Sequence, residues 1–146
     1  MTAAGSEIER THAVALCAVD RVEVYPAGGG TRGMRAWKRV VATDPYLGGH
    51  FPDLTIYPGM FLLESLHQAV LACVGTREGV LPRIVGVRSI RCLAALAGGD
   101  ELTLDGGIRP SAQPDRFRVE ARCRRGDGVC AATLVVDFGY PGSCHD

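Results

Sequence analysis

The alternation of apolar and polar positions divides the chain into one long apolar segment and several shorter ones. In residues 60–74 the apolar side chains fall on nearly every side of a helix, which predicts a long helix buried inside the domain. The other patterned segments are short, rich in β-branched residues and bounded by turn formers, so they are predicted as strands, the first of them as a strand or a short lead-in. Their ranges are 13–25, 31–42, 84–93, 101–108, 117–124 and 129–138.

Glycine-rich segments mark two of the reversals between these strands. Residues 26–30 predict a turn after the first strand, and residues 126–128 predict a hairpin turn before the last. Residues 28–33 also match the G-x-G-x-x-G pattern of dinucleotide sites, but that loop needs a βαβ unit and this chain offers one helix. Strands on both sides of a single helix are typical of an α+β domain, with an antiparallel sheet of five to seven strands wrapped around it.

Length and charge limit the classes of function. A chain of 146 residues fits one domain, with unpatterned and therefore flexible ends expected at 1–12 and 139–146. The formal net charge is zero, so no overall field favours a nucleic acid or a membrane surface as partner. The long apolar segment is interrupted by polar residues and is too short to span a bilayer, and no secretory signal is present. We therefore expect a cytoplasmic protein.

The six cysteines lack C-x-x-C spacing, so they are predicted to be small buried residues rather than disulfides or zinc ligands. The basic groups at 32–39 and 122–125 are expected on solvated faces. Glu64 and His67 match the E-x-x-H element of di-iron proteins, but such a site needs the element twice in a four-helix bundle. No metal site is expected.

Residues 48–64 concentrate the groups that could carry chemistry. His50 lies in a loop stiffened by glycine and proline, and Gly59 opens the helix with its N–H at the positive end of the helix dipole. Glu64 follows among leucines, where a carboxyl is a candidate proton donor, and Gln68 lies one turn further on the same face. An acid, a base and an oxyanion site suit proton removal beside a carbonyl and loss of a β-substituent. The alternative is a loop histidine bonded to backbone and a helix carboxylate that reaches a surface arginine.

The order of these residues resembles the signature of the β-hydroxyacyl-acyl-carrier-protein dehydratases of fatty acid synthesis. The matching stretches are Gly49-His50-Phe51-Pro52, Pro58-Gly59, Glu64 and Gln68. The resemblance implies a hot-dog fold and a homodimer or higher homo-oligomer whose active sites are shared between subunits. It also implies a substrate carried on the phosphopantetheine arm of acyl carrier protein, with no metal or organic cofactor.

The same resemblance implies a role for each matching residue. His50 would remove the C2 proton of a (3R)-3-hydroxyacyl thioester, and Glu64 of the facing subunit would handle the departing hydroxyl. The N–H of Gly59 would polarise the thioester carbonyl, the carbonyl of Ile56 would orient the His50 ring, and Gln68 would hold Glu64. The product would be the trans-2-enoyl thioester.

Two departures from the family pattern leave the substrate open. Thr55 stands where the family usually has a proline, and Ser65-Leu66-His67 replaces small and apolar residues. The hypothesis is therefore a dehydratase of either fatty acid or polyketide and polyene biosynthesis. A hot-dog thioesterase using Glu64 as a base for water, and a weakly active subunit of a heterodimeric dehydratase, remain as alternatives.

Overall fold

The computed structural model describes residues 16–51 and 53–142. Within this part the chain forms one helix and six strands, and the predicted α+β class is confirmed. In the segment 13–25, predicted as a strand or a short lead-in, the strand begins at residue 21 and residues 16–20 precede it. Residues 13–15 lie outside the described residues. In chain order the elements are β1 Arg21–Pro26, β2 Arg32–Arg39, α1 Gly59–Val74, β3 Arg83–Cys92, β4 Glu101–Pro110, β5 Arg116–Arg125 and β6 Cys130–Gly139.

The strands form one antiparallel sheet in the order β1-β2-β4-β5-β6-β3. The long connection that contains α1 carries the chain from β2 to the opposite edge, so β1 and β3 are the two edge strands. The sheet wraps the helix, and the core lies between them, with Leu66, Val136 and Phe138 fully buried. This topology places the loop before α1 next to the end of β3.

The helix is less enclosed than its sequence predicts. Its buried residues are spaced three and four apart along one face: Leu62, Ser65, Leu66, Ala69 and Val70. Met60, by contrast, is 65% exposed. The expectation of burial on every side was wrong for a single chain, because one sheet covers only one face of a helix.

The glycine-rich segment after β1 is a hairpin turn, as predicted. Gly28, Gly29 and Gly30 all have positive φ angles, a region that side chains disfavour. The N–H of Thr31 donates to the carbonyl of Gly28 at 2.9 Å and closes the turn. The G-x-G-x-x-G match therefore reflects turn geometry.

Lys38 contradicts the expectation that the basic group at 32–39 is solvated. Its side chain is buried, as are those of Ala36 and Val40, because alternate residues of a strand point to the same face. The Lys38 ammonium lies 3.6 Å from Asp20, which gives the buried charge a partner. Position 38 is thus part of the core face rather than of the surface.

The cysteines are more exposed than predicted. Of the five described ones, only Cys123 is buried, and all five thiols are free. Burial raises the pKa of the Cys123 thiol to about 12, so that group stays protonated. The others are exposed or half-buried (Cys17, Cys73, Cys92 and Cys130), and Cys144 lies outside the described residues.

The predicted flexible ends fall mostly outside the described part of the chain. Residues 1–12 and 143–146 are not described. At the carboxyl end, Gly139 is the last residue of β6, and the N–H of Tyr140 donates to the carbonyl of Asp115 at 3.1 Å. The sheet therefore extends one residue beyond the predicted end of the last strand.

Candidate active site

The loop before α1 fixes the His50 ring through hydrogen bonds across the loop. The His50 Nδ1 lies 2.9 Å from the carbonyl oxygen of Ile56, and the N–H of Ile56 donates to the carbonyl of His50 at 3.0 Å. Since a carbonyl oxygen only accepts, Nδ1 carries the hydrogen. In the neutral ring this tautomer leaves the lone pair on Nε2, on the far side of the ring, where it can accept a proton.

His50 lines a cavity of about 320 Å³ whose walls are otherwise mainly apolar. The first residue of the helix, Gly59, belongs to the same cavity. Its N–H has no acceptor in the described part of the chain, as expected for the first turn of a helix. The remaining lining residues are Ile56, Tyr57, Leu62, Cys92, Leu93, Ala94, Ala95 and Leu96. The cavity thus combines a base with an unpaired donor at a helix N-terminus.

The backbone of Gly59 lies close to the cavity wall formed by β3. A Cβ atom built on Gly59 would lie 2.9 Å from the Cys92 sulfur, which is too close for carbon and sulfur. Glycine at this position therefore lets the helix begin against β3, with its first N–H beside the cavity.

A buried tyrosine that the sequence analysis missed supports this wall. The Tyr57 hydroxyl lies 3.2 Å from the Ser65 hydroxyl, which itself donates to the carbonyl of Phe61 at 2.9 Å. Tyr57 is therefore the donor to Ser65, and its burial raises the pKa of the phenol to about 12. Ser65, noted only as a departure from the family pattern, ties the cavity wall to the helix.

Glu64 lies on the helix in a hydrogen-bonded and partly exposed setting. Gln68 Nε2 donates to Glu64 Oε1 at 3.0 Å and to the carbonyl of Leu16 at 2.7 Å, while Gln68 Oε1 accepts from the N–H of Ala18 at 3.0 Å. These partners fix which end of the Gln68 amide faces the carboxylate. The Glu64 side chain is 40% exposed, so within one chain it is less embedded among leucines than expected.

The second oxygen of the Glu64 carboxylate also has a side-chain partner. His67 Nδ1 lies 3.3 Å from Glu64 Oε2. Among the residues described, no arginine forms an ion pair with Glu64, which argues against the alternative of a carboxylate serving a surface arginine. Sequence analysis noted His67 but assigned it no contact.

A single chain brings only part of the predicted set together. His50, Ile56 and Gly59 share the cavity, whereas Glu64 and Gln68 do not line it. Five residues after Gly59, Glu64 projects about 140° around the helix axis, away from the direction of Gly59. One chain therefore separates the candidate base from the candidate acid.

No group of three or more potential metal ligands occurs in residues 16–51 and 53–142. The one helix in that same part of the chain is not long and apolar enough to cross a membrane.

The sequence matches one protein-family model over most of its length. Residues 11–138 match the model of the FabA-like domain. The chain belongs to the FabA-like family. It is 34% identical over 109 residues to a 3-hydroxyacyl-[acyl-carrier-protein] dehydratase FabZ of Wolbachia pipientis wMel, covering 71% of this chain and 74% of the relative. It is 33% identical to the FabZ of Cronobacter sakazakii, covering 80% and 79%.

Solved structures confirm the hot-dog fold of this FabA-like chain. A hot-dog-like protein from Thermanaerovibrio acidaminovorans superposes with a TM-score of 0.61 at 17% identity, over 74% of this chain and 79% of that one. The R-hydratase PhaJ1 of Pseudomonas aeruginosa gives 0.57 at 13% identity, over 75% and 79%. A putative thioesterase from Lactococcus lactis gives 0.61 at 8% identity, over 84% and 91%. At these identities the similarity concerns the fold alone.

Proposed function

We propose that this protein converts a (3R)-3-hydroxyacyl group carried on acyl carrier protein into the trans-2-enoyl thioester and water. The observation that carries the proposal is the cavity lined both by His50, whose ring is oriented through Nδ1, and by Gly59 with its unpaired N–H. Its support from relatives is the dehydratase name of the FabZ proteins that match most of the chain. The apolar wall suits an acyl chain.

The groups of the cavity support the following first half of the reaction. The free Nε2 of His50 removes a proton from C2 of the substrate, because Nδ1 is already committed to Ile56. The negative charge that develops on the thioester oxygen accepts the N–H of Gly59 at the positive end of the helix. In the second half, Glu64 gives a proton to the 3-hydroxyl, the C3–O bond breaks, and water leaves.

A second copy of the chain supplies Glu64 to each site in this proposal. The edge strand β3 leaves a row of backbone groups available for pairing, and Val85 and Val87 on it are exposed, as is Leu93 just beyond it. A long apolar edge strand is a template for pairing with another chain. Pairing of β3 with its copy would extend the sheet and bury these side chains.

The partly covered helix supports the same assembly. Met60, at the start of α1, is exposed beside the cavity that contains Gly59, and Phe51 and Leu54 are exposed in the preceding loop. The end of β3 lines the same cavity as Gly59, the neighbour of Met60 in sequence. Together the exposed side chains offer an apolar surface that a second subunit would cover.

Mixing two inactive variants tests both the chemistry and the sharing of the site. His50→Ala and Glu64→Gln should each lower turnover of a 3-hydroxyacyl carrier-protein substrate by at least about a hundredfold. In a mixed dimer, one site receives both substitutions and the other receives neither. Random exchange makes about half of the dimers mixed, so the mixture should regain about a quarter of wild-type turnover.

The product identifies the class of enzyme. Loss of water from the substrate, followed by mass, supports the dehydratase; release of free acid would instead indicate a thioesterase. Failure of the mixture to regain activity, while each variant alone is inactive, would place both groups of a site in one chain. Absence of either product in the wild-type homodimer would favour a subunit that needs a related dehydratase as partner.

The substrate's chain type is tested with the same assay. We propose fatty acid or polyketide intermediates, because the departures at Thr55 and at Ser65–His67 lie beside the residues that match the family signature rather than at them. Carrier-bound saturated and polyene 3-hydroxyacyl groups should be compared at equal concentration, and the ratio of kcat/KM assigns the class.

A further inference from the structure

We propose that His67 is a positioning residue for Glu64, which holds the carboxylate through a hydrogen bond that stabilises it after proton transfer. The inference rests on the proposed dehydratase function, and it concerns a residue to which the family signature gives no role. It deepens that function by adding a second fixed partner for the acid.

The two oxygens of the Glu64 carboxylate are held by two different side chains of the same helix. Gln68 Nε2 donates to Oε1 at 3.0 Å, and His67 Nδ1 lies 3.3 Å from Oε2. Residues three and four positions apart lie on one side of a helix, so both partners reach Glu64 without distorting the backbone. The carboxyl plane is therefore fixed by two contacts, and rotation of the group would break both.

The His67 ring is itself held in place by packing. It stacks on Phe138 of β6, with ring centroids 6.3 Å apart and planes 25° apart. Phe138 is fully buried, and the His67 side chain is 28% exposed. In the described part of the chain, the ion pair of His67 is with Glu64, because its other partner, Phe138, is uncharged. A ring that already packs on a buried side chain loses little further conformational entropy when it binds the carboxylate.

The hydrogen bond has a consequence for the reaction. When Glu64 gives its proton to the departing hydroxyl, the carboxyl becomes a carboxylate. With a hydrogen on Nδ1, His67 donates to Oε2 of that carboxylate, and a bond to a charged acceptor is stronger than one to a neutral acid. His67 should therefore favour the transfer step and contribute little to substrate binding, because in this proposal it acts on the substrate only through Glu64.

Three substitutions separate this role from packing alone. His67→Ala removes both the donor and the ring. His67→Asn keeps an N–H donor close to the position of Nδ1, and His67→Phe keeps a ring on Phe138 without the donor. We expect kcat to fall about tenfold in H67A and H67F, with KM changed less than about twofold, and to be largely restored in H67N.

The variants' outcomes decide between the two roles. Wild-type kcat in H67A, or restoration by H67F rather than by H67N, would overturn the proposal, because packing would then account for His67. If H67A fails to fold as judged by circular dichroism, the comparison of H67N with H67F remains and decides in the same way.

A measurement without turnover distinguishes failure of this inference from failure of the proposed function. In nitrogen-15 spectra of the imidazole, wild-type His67 should show its hydrogen on Nδ1, and Glu64→Ala should shift these signals. Ring signals that do not respond to E64A would overturn the contact even in an active dehydratase. If the wild type yields no enoyl product, the proposed function fails, and the positioning role in dehydration fails with it even where the spectra confirm the contact.

Discussion

The contact between Gly59 and Cys92 predicts that one added methyl group will displace the helix start, and that a second substitution will correct it. In Gly59→Ala the new Cβ would lie 2.9 Å from the Cys92 sulfur, so the helix or the thiol must move. Cys92→Ala removes that sulfur. The double variant therefore keeps the added methyl group and loses the collision.

The size of the effect follows from two opposing contributions. An overpacked site costs about 1–3 kcal/mol, whereas alanine favours a helix over glycine by up to about 1 kcal/mol. We expect G59A to lower the free energy of unfolding by about 1 kcal/mol. Cys92 is exposed, so C92A alone should change it by less than about 0.5 kcal/mol.

Turnover should respond more strongly than stability. Loss of one oxyanion donor typically costs about a hundredfold to a thousandfold, and a donor displaced by a few tenths of an ångström loses part of that. We expect kcat to fall about tenfold in G59A and to recover most of the loss in G59A/C92A. Urea unfolding and steady-state turnover of all four proteins complete the cycle.

Two results would refute this reasoning. Wild-type turnover in G59A would mean that the N–H of Gly59 does not act on the substrate, or that the helix start is not in contact with Cys92. A defect of equal size in G59A and in the double variant would mean that the methyl group itself, rather than the sulfur, disturbs the site.

Two further predictions concern stability. The pKa of Asp137 is lowered from 3.8 to about 2, mainly by the hydrogen bond from Arg118 and further by the one from Arg88. These contacts therefore stabilise the fold above about pH 4, and their contribution is lost as the pH falls toward 2. The two arginines are 43% and 63% exposed, so solvent screening reduces the contribution to about 1 kcal/mol. The difference in unfolding free energy between wild type and D137N should therefore shrink as the pH falls from about 4 toward 2. A difference that stays constant over this pH range would contradict the prediction. Tyr57→Phe removes the donor to Ser65 and should lower the free energy of unfolding by about 1 kcal/mol, measured by urea at neutral pH, whereas an unchanged midpoint would show that the hydrogen bond has no net value.

The order and type of the elements could be predicted because they depend on local patterns. Alternation identified five of the six strands within a few residues, and the apolar segment gave α1 to within one residue. The first strand begins later than the predicted segment, because residues 16–20 are apolar enough for a strand but reach the sheet only through Asp20. Pairing between distant segments is not encoded in local periodicity.

Burial was harder to predict where chemistry and geometry disagree. Lysine is seldom buried, so position 38 was assigned to the surface, yet strand alternation places it with Ala36 and Val40 on the core face. Asp20, eighteen residues earlier, makes that burial tolerable by pairing with the ammonium. The two-residue period of a strand, applied strictly, would have predicted that Lys38 is buried but not that Asp20 is its partner.

The environment of Glu64 shows which parts of a site a sequence can reveal. Gln68 and His67 are its neighbours on the helix, four and three residues away, so their contacts follow from helical geometry alone. The carbonyl of Leu16 accepts from the same Nε2, and the N–H of Ala18 donates to Oε1 at the other end of the Gln68 amide. These residues lie 52 and 50 positions away from Gln68, and no periodicity connects them to it. The orientation of the acid therefore depends on the segment before β1 docking against the helix. If that segment were displaced, Gln68 would lose the two backbone bonds that fix its amide, and Glu64 would keep its neighbours in sequence but not its fixed direction.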